Sequence, residues 1–128
     1  MEKEFVPYEL AVKLKKLGFD EPCFKSYGTD GLLNENDHEM YLSAPTFSQA
    51  FRWFREKYGL YSWVQLHNGY IDDSFYKKLP ITWTIMEHES GKEYYERDID
   101  HNYLYHTHEE AELACLEKLI EIVESKSE

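Results

Sequence analysis

The chain has 128 residues, 42% hydrophobic and 30% charged, which fits one globular domain and excludes a disordered chain. Its 25 acidic and 14 basic residues leave a net charge of −11. That excludes a protein that coats DNA or RNA directly, because such binding needs positive charge to release phosphate counterions. No apolar run reaches the roughly 18–20 residues that span a membrane, and Met1-Glu2-Lys3-Glu4 does not open a signal peptide. Cys23 and Cys115 are too few for a disulfide scaffold, so a cytoplasmic protein is expected.

In chain order, a first helix is predicted from Pro7 to about Leu17. Pro7 suits the first turn, where its missing N–H costs nothing, and Leu10, Ala11, Leu14 and Leu17 form an apolar stripe. Gly18 can take the left-handed conformation that ends a helix, with Phe19 folded back onto the last turn. Cys23 to Tyr27 reads as a short strand. Gly28-Thr29-Asp30-Gly31 and Asn34-Glu35-Asn36-Asp37 are polar breaks, and a second short strand is placed around Glu39 to Leu42.

Thr46-Phe47-Ser48-Gln49 is a capping box that starts a second helix, closed by Gly59. Phe47, Ala50, Phe51, Phe54 and Tyr58 make its apolar stripe, with Trp53 on the flank. Tyr61 to His67 alternates as a strand, although either face could point inward. Asn68-Gly69 turns the chain. Ile81 to His88, after Pro80, and Lys92 to Ile99 form a hairpin about Ser90-Gly91. A last helix begins at a second capping box, Thr107-His108-Glu109-Glu110, and runs to about Val123, with Cys115 as a packing residue on its apolar face.

The expected fold is therefore a single α+β domain over residues 1–128: an antiparallel sheet of about 4–5 strands packed with three helices, in the order α–β–(β)–α–β–β–β–α. Thr46-x-x-Gln49-Ala50 and Glu56-Lys57 recur as Thr107-x-x-Glu110-Ala111 and Glu117-Lys118 at identical spacing. A duplicated strand–helix unit would produce this echo, and so would any two well-capped amphipathic helices.

The segment from Ser43 to Leu60, with Gln49-Ala50-Phe51-Arg52-Trp53-Phe54-Arg55-Glu56-Lys57 at its centre, resembles a recurring segment in small uncharacterised proteins of gut anaerobic bacteria and their phages. Thr107 to Val123 is similar to the ending of the same group. The resemblance transfers no activity and no site residue. It implies a phage-type accessory protein, acting in the host cytoplasm on a host or defence factor.

Chemistry-bearing residues are sparse. His101, His106 and His108 lie beside Asp98, Asp100, Glu109 and Glu110, a set that could ligate zinc or nickel, but a solvated His/acid loop is the plainer reading. No nucleophile elbow, phosphate loop, His-Glu-x-x-His or Cys-x-x-Cys motif is present, so no cofactor and no catalytic residue are assigned.

Charge divides the chain unevenly. Residues 1–64 carry 10 acids against 8 bases, and residues 65–128 carry 15 acids against 6 bases. A negative C-terminal half can simply confer solubility; it can also dock a basic partner or mimic a nucleic acid. Around the start of the second helix, Ser43, Thr46 and Ser48 stand where free N–H groups favour an anion, and Arg52, Trp53 and Arg55 follow.

The leading expectation is a non-enzymatic protein that binds a protein partner with a basic surface through acidic and aromatic side chains. Aromatic residues, 7 Phe, 3 Trp and 11 Tyr, make up 16% of the chain. The alternative is a binder of a nucleotide-like anion at Ser48, Arg52, Trp53 and Arg55. A metal-dependent enzyme at His101–His108 ranks third. A homo-oligomer is also expected, formed by an edge strand from residues 92–99 or by the flank of an aromatic helix.

Overall fold

A computed structural model of the chain describes residues 4–28, 32–35, 42–66, 81–95, 105 and 107–126. Helix α1 covers Tyr8–Lys16, with Pro7 in the capping position at φ −61° and ψ 156°. Leu10, Ala11 and Leu14 are its buried stripe. Gly18 takes φ +104°, and the Phe19 N–H then reaches back to the Leu14 carbonyl at 3.0 Å. Only a residue without Cβ adopts that backbone cheaply. Phe19 is buried as a result.

Strand β1 (Lys25–Tyr27) is the centre of a three-stranded antiparallel sheet, between β2 (Leu33–Glu35) and β3 (Leu42–Ala44). Lys25 lies opposite both Glu35 and Ala44. The Asn34-Glu35 pair, expected in a polar break, thus forms part of β2. Residues 39–41 of the expected Glu39–Leu42 strand lie outside the described residues, and Leu42 opens β3.

Helix α2 spans Phe47–Tyr58, and Thr46 Oγ1 accepts the Gln49 N–H at 3.1 Å. Gly59, at φ +67°, closes it and sends the chain directly into β4 (Leu60–Leu66). Strands β4, β5 (Ile81–Glu87) and β6 (Glu93–Tyr95) form a second three-stranded antiparallel sheet in sequence order. Pro80, His67, Asn68-Gly69 and residues 96–99 of the expected hairpin lie outside the described residues. Helix α3 covers His108–Lys126, about one turn beyond the expected end at Val123.

The α+β class with three helices is as expected, but the strands divide between two sheets where one was expected. The reason lies at β3. Just past the end of β3 the chain pairs with the N-terminal segment, with the Val6 N–H bonded to the Pro45 carbonyl at 2.8 Å and a bridge between Phe5 and Thr46. The first sheet cannot grow there, and α2 carries the chain across the core before pairing resumes.

Helix α3 packs on β4 and β5 and also touches α1 and α2, so it joins the layers. Ala111, Cys115, Leu116, Leu119, Ile120, Ile122 and Val123 are its buried face. Those from Cys115 to Val123 meet Phe54, Leu60, Trp83 and Ile85 in one core. The inward face of β4 is Leu60, Ser62 and Val64, and the outward face is Tyr61, Trp63 and Gln65. The two internal echoes become two capped helices, but the sheets before them differ in strand order, β2-β1-β3 against β4-β5-β6.

Candidate functional site

The four residues expected to bind a ligand do not converge. Ser48 and Arg52, one turn apart on α2, line a shallow groove of about 490 Å³ together with Thr46, Gln49, Pro22, Cys23 and Phe24. Arg55 is exposed elsewhere, its guanidinium 6.0 Å from the centre of the Tyr61 ring. Trp53 is a correction: it is only 5% exposed and belongs to the core. Its ring meets Phe19, Phe54 and Tyr58 edge-on at 5.4, 5.1 and 5.5 Å, and Lys57 Nζ lies 5.1 Å from its centre. Phe19 arrives from the end of α1, a contact that a helical wheel of α2 cannot show. A base has no open face of Trp53 to stack on.

The groove itself is built by one long-range side chain. Gln49 does not reach back to Thr46 as a capping box would have it. Its Nε2 donates to the Pro22 carbonyl at 2.9 Å and to Glu21 Oε1 at 3.4 Å, pinning residues 21–24 beside the helix start. Arg52 is then held by Glu21 at 3.5 Å and by Glu56 at 3.9 Å. An anion entering here would compete with two carboxylates for that guanidinium. Phe24, 84% exposed, is the aromatic ring that sequence reasoning missed at this site. The signal was its position beside Pro22 and Cys23, which only the fold brings to α2. Burial pushes the Cys23 thiol up to about 11, against hydrogen bonding to Ser43, so it stands protonated at neutral pH.

Of the histidine candidates, His101 and His106 lie outside the described residues. His108 opens α3 and sits 3.6 Å from Glu112 one turn on. Among the described residues no group of three or more His, Cys, Asp or Glu side chains could hold a metal ion. Cys115 is fully buried beside Ser62 of β4, and burial pushes its thiol up to about 12.

The acidic excess of the C-terminal half takes a definite shape. Glu110, Glu117, Glu121 and Glu124 are all exposed and share one strip of α3, at helical spacings of seven, four and three. At 1.5 Å per residue the strip is about 21 Å long. The bases of the helix do not neutralise it evenly. Lys118 pairs with Glu121 at 3.2 Å, while Lys126 is bonded to Glu87 at the end of β5. That last bond holds the Glu87 carboxyl below the usual carboxylate range, with Ser90 as a second donor. Among the described residues no helix is long and apolar enough to cross a membrane. Compared with protein-family models, curated proteins and solved structures, the chain matches none.

Proposed function

We propose that the protein is a non-enzymatic binding module whose acidic α3 face docks a basic surface on a protein partner. The carboxylate strip from Glu110 to Glu124 carries this reading. It supplies a row of like charges on a rigid element that is anchored by a fully buried opposite face. Rigid placement matters, because charges on a packed helix are aimed before the partner arrives and raise the encounter rate. Exposed rings such as Phe24 and Tyr8 offer flat contact area elsewhere on the surface. In the phage-type setting that the resemblance implies, the partner is a host factor, and masking its basic surface neutralises it.

The test is capture of partners from host lysate by the wild-type chain and by a quadruple variant, E110Q/E117Q/E121Q/E124Q, at low and high salt. A specific partner should be retained at low salt, lost at high salt and lost with the variant. Screening shortens from about 10 Å at 0.1 M salt to about 3 Å at 1 M. A partner held equally by both chains at both salts would defeat the proposal.

A second reading rests on the groove. Ser48 and Arg52, with Phe24 in the stacking role first given to Trp53, would hold a nucleotide-like anion at the start of α2. A panel of mono- and cyclic nucleotides should then raise the melting temperature of the wild-type chain but not of R52A. No shift with any member of the panel would retire it.

A further inference from the structure

Among the described strands, β2 and β6 are outermost as well, but each contains a glutamate, whereas β4 contains no charged residue. Alternation of the antiparallel ladder fixes which of its backbone groups are used. The His88 N–H donates to the Gly59 carbonyl at 2.8 Å, and the Glu87 N–H donates to Lys92 at 2.8 Å on the opposite side of β5. With Leu60 opposite Glu87 and Leu66 opposite Ile81, the residues bonded to β5 are Tyr61, Trp63 and Gln65. The N–H and C=O groups of Leu60, Ser62, Val64 and Leu66 point the other way, and among the described residues nothing pairs with them. By contrast, just past the end of β3 Phe5 and Val6 pair with Thr46 and Pro45, and beyond β5 the ladder continues through the Ile81–Tyr105 bridge.

Strand edges are normally blunted by charge, proline or a bulge. Strand β4, Leu-Tyr-Ser-Trp-Val-Gln-Leu, has none of these: it carries no charged residue in a chain that is 30% charged. Tyr61 and Trp63, each 42% exposed, and Leu66, 59% exposed, project beside the open edge. Trp63 is also preset, since its indole N–H donates to Gln65 Oε1 at 2.7 Å along the same face.

We infer that β4 is the edge along which a second copy of this chain pairs, antiparallel about a two-fold axis at Trp63, joining two three-stranded sheets into one. Two features select a second copy over a foreign strand. The first is register. With Trp63 opposite Trp63 of a second copy, Leu60 faces Leu66 and Ser62 faces Val64, so every outward-pointing residue falls in a hydrogen-bonded pair. The two Trp63 rings then meet at the closer, non-hydrogen-bonded site, where cross-strand aromatic contact is best. The second feature is charge. Two chains of net charge −11 repel wherever their acidic faces approach, so they associate along an uncharged strip. Strand β4 is such a strip, and its rim carries Arg55 beside Tyr61. Helix α3 packs on the inner face of β4, where Cys115 lies beside Ser62, so pairing at the edge leaves the carboxylate strip of α3 uncovered. The inference does not depend on the proposed function. It also places at β4 the self-association expected from residues 92–99 or from the flank of an aromatic helix.

Sedimentation velocity and amide hydrogen exchange on the full chain, over a concentration series, test it together. The mass should rise from one chain to two, and the N–H groups of Leu60, Ser62, Val64 and Leu66 should gain protection in step. Those of Tyr61, Trp63 and Gln65 should be protected at every concentration, because β5 already holds them. W63K, which sets two cations across the axis, and V64P, which removes an outward N–H and no bond to β5, should each weaken association by about tenfold or more. If a variant fails to fold, the alternation of protection in the wild-type chain still decides. A chain that stays monomeric throughout, a dimer whose four outward amides exchange freely, or a dimer that survives both variants would overturn the inference. Protection that appears only with an added foreign peptide would assign the edge to another protein's strand, and overturn it equally.

Discussion

At the start of α2, Thr46 Oγ1 accepts the Gln49 N–H at 3.1 Å; at the start of α3, Thr107 Oγ1 accepts the Glu110 N–H at the same 3.1 Å. The residue after each donor, Ala50 or Ala111, is fully buried. From that shared beginning the helices diverge. Helix α2 buries rings (Phe47, Trp53, Phe54) and exposes Arg52, Arg55 and Lys57, whereas α3 buries aliphatic side chains and exposes a row of glutamates. The local code that starts a helix is thus independent of what its two faces do. The cap sets where the helix begins, and the exposed face sets what it can meet.

The comparison breaks most visibly in the core. Trp53→Ala removes a ring held by three aromatic neighbours and should cost about 3–5 kcal/mol; Leu119→Ala, at the fully buried centre of α3, should cost about 2–5 kcal/mol. Urea unfolding with unchanged slope checks both. Trp53→Ala at under about 1 kcal/mol would mean that the ring does not belong to the core.

These two helices also show what the sequence could and could not reveal. Thr46, Thr107, Gly18 and Gly59 were readable because caps and left-handed terminators act between residues three to five apart. Trp53 was misplaced because the ring that covers it, Phe19, comes from another helix end. Gln49 was assigned to its own cap, yet its amide bonds Pro22, 27 residues away. Strand β4 was legible as a strand but not as to which face points inward, since Tyr61, Trp63 and Gln65 alternate with Ser62, Val64 and Leu66 in equally plausible sets. The packing of α3 on Ser62 and Val64 decided it. The division into two sheets was unreadable for the same reason: strand pairing, like the bridge from Phe5 to Thr46 some 40 residues later, joins segments that no periodicity links.

A smaller effect sharpens the likeness of the caps. Thr107→Ala loses one exposed side-chain bond and should cost about 0.5–1 kcal/mol. Thr46→Ala should cost about 1–2 kcal/mol, because Thr46 is half-buried and the Gln49 N–H it leaves unpaired is less open to water. Equal losses in thermal unfolding would show that burial adds nothing to the cap.

The smallest expected effect separates two carboxylates at either end of the α3 contact. Glu112 is partly buried, and burial raises its pKa above the ordinary 4.5, against the pull of His108. A carboxyl whose folded pKa is raised favours the folded state when protonated. That contribution is complete below about pH 4.5 and is lost as pH rises through the folded value. Glu112→Gln keeps the neutral form at every pH, so it should raise the melting temperature slightly at pH 7 and leave it unchanged near pH 4. Glu87 has the opposite sign. Bonded by Lys126, it contributes above its ordinary 4.5 and loses that contribution as pH falls through its lowered value. Glu87→Gln should therefore lower the melting temperature at pH 7 and converge with the wild-type chain in strong acid. Melting curves of the two variants from pH 3 to 8 should diverge from the wild type in opposite directions as pH rises. The same direction for both would mean that burial does not control Glu112.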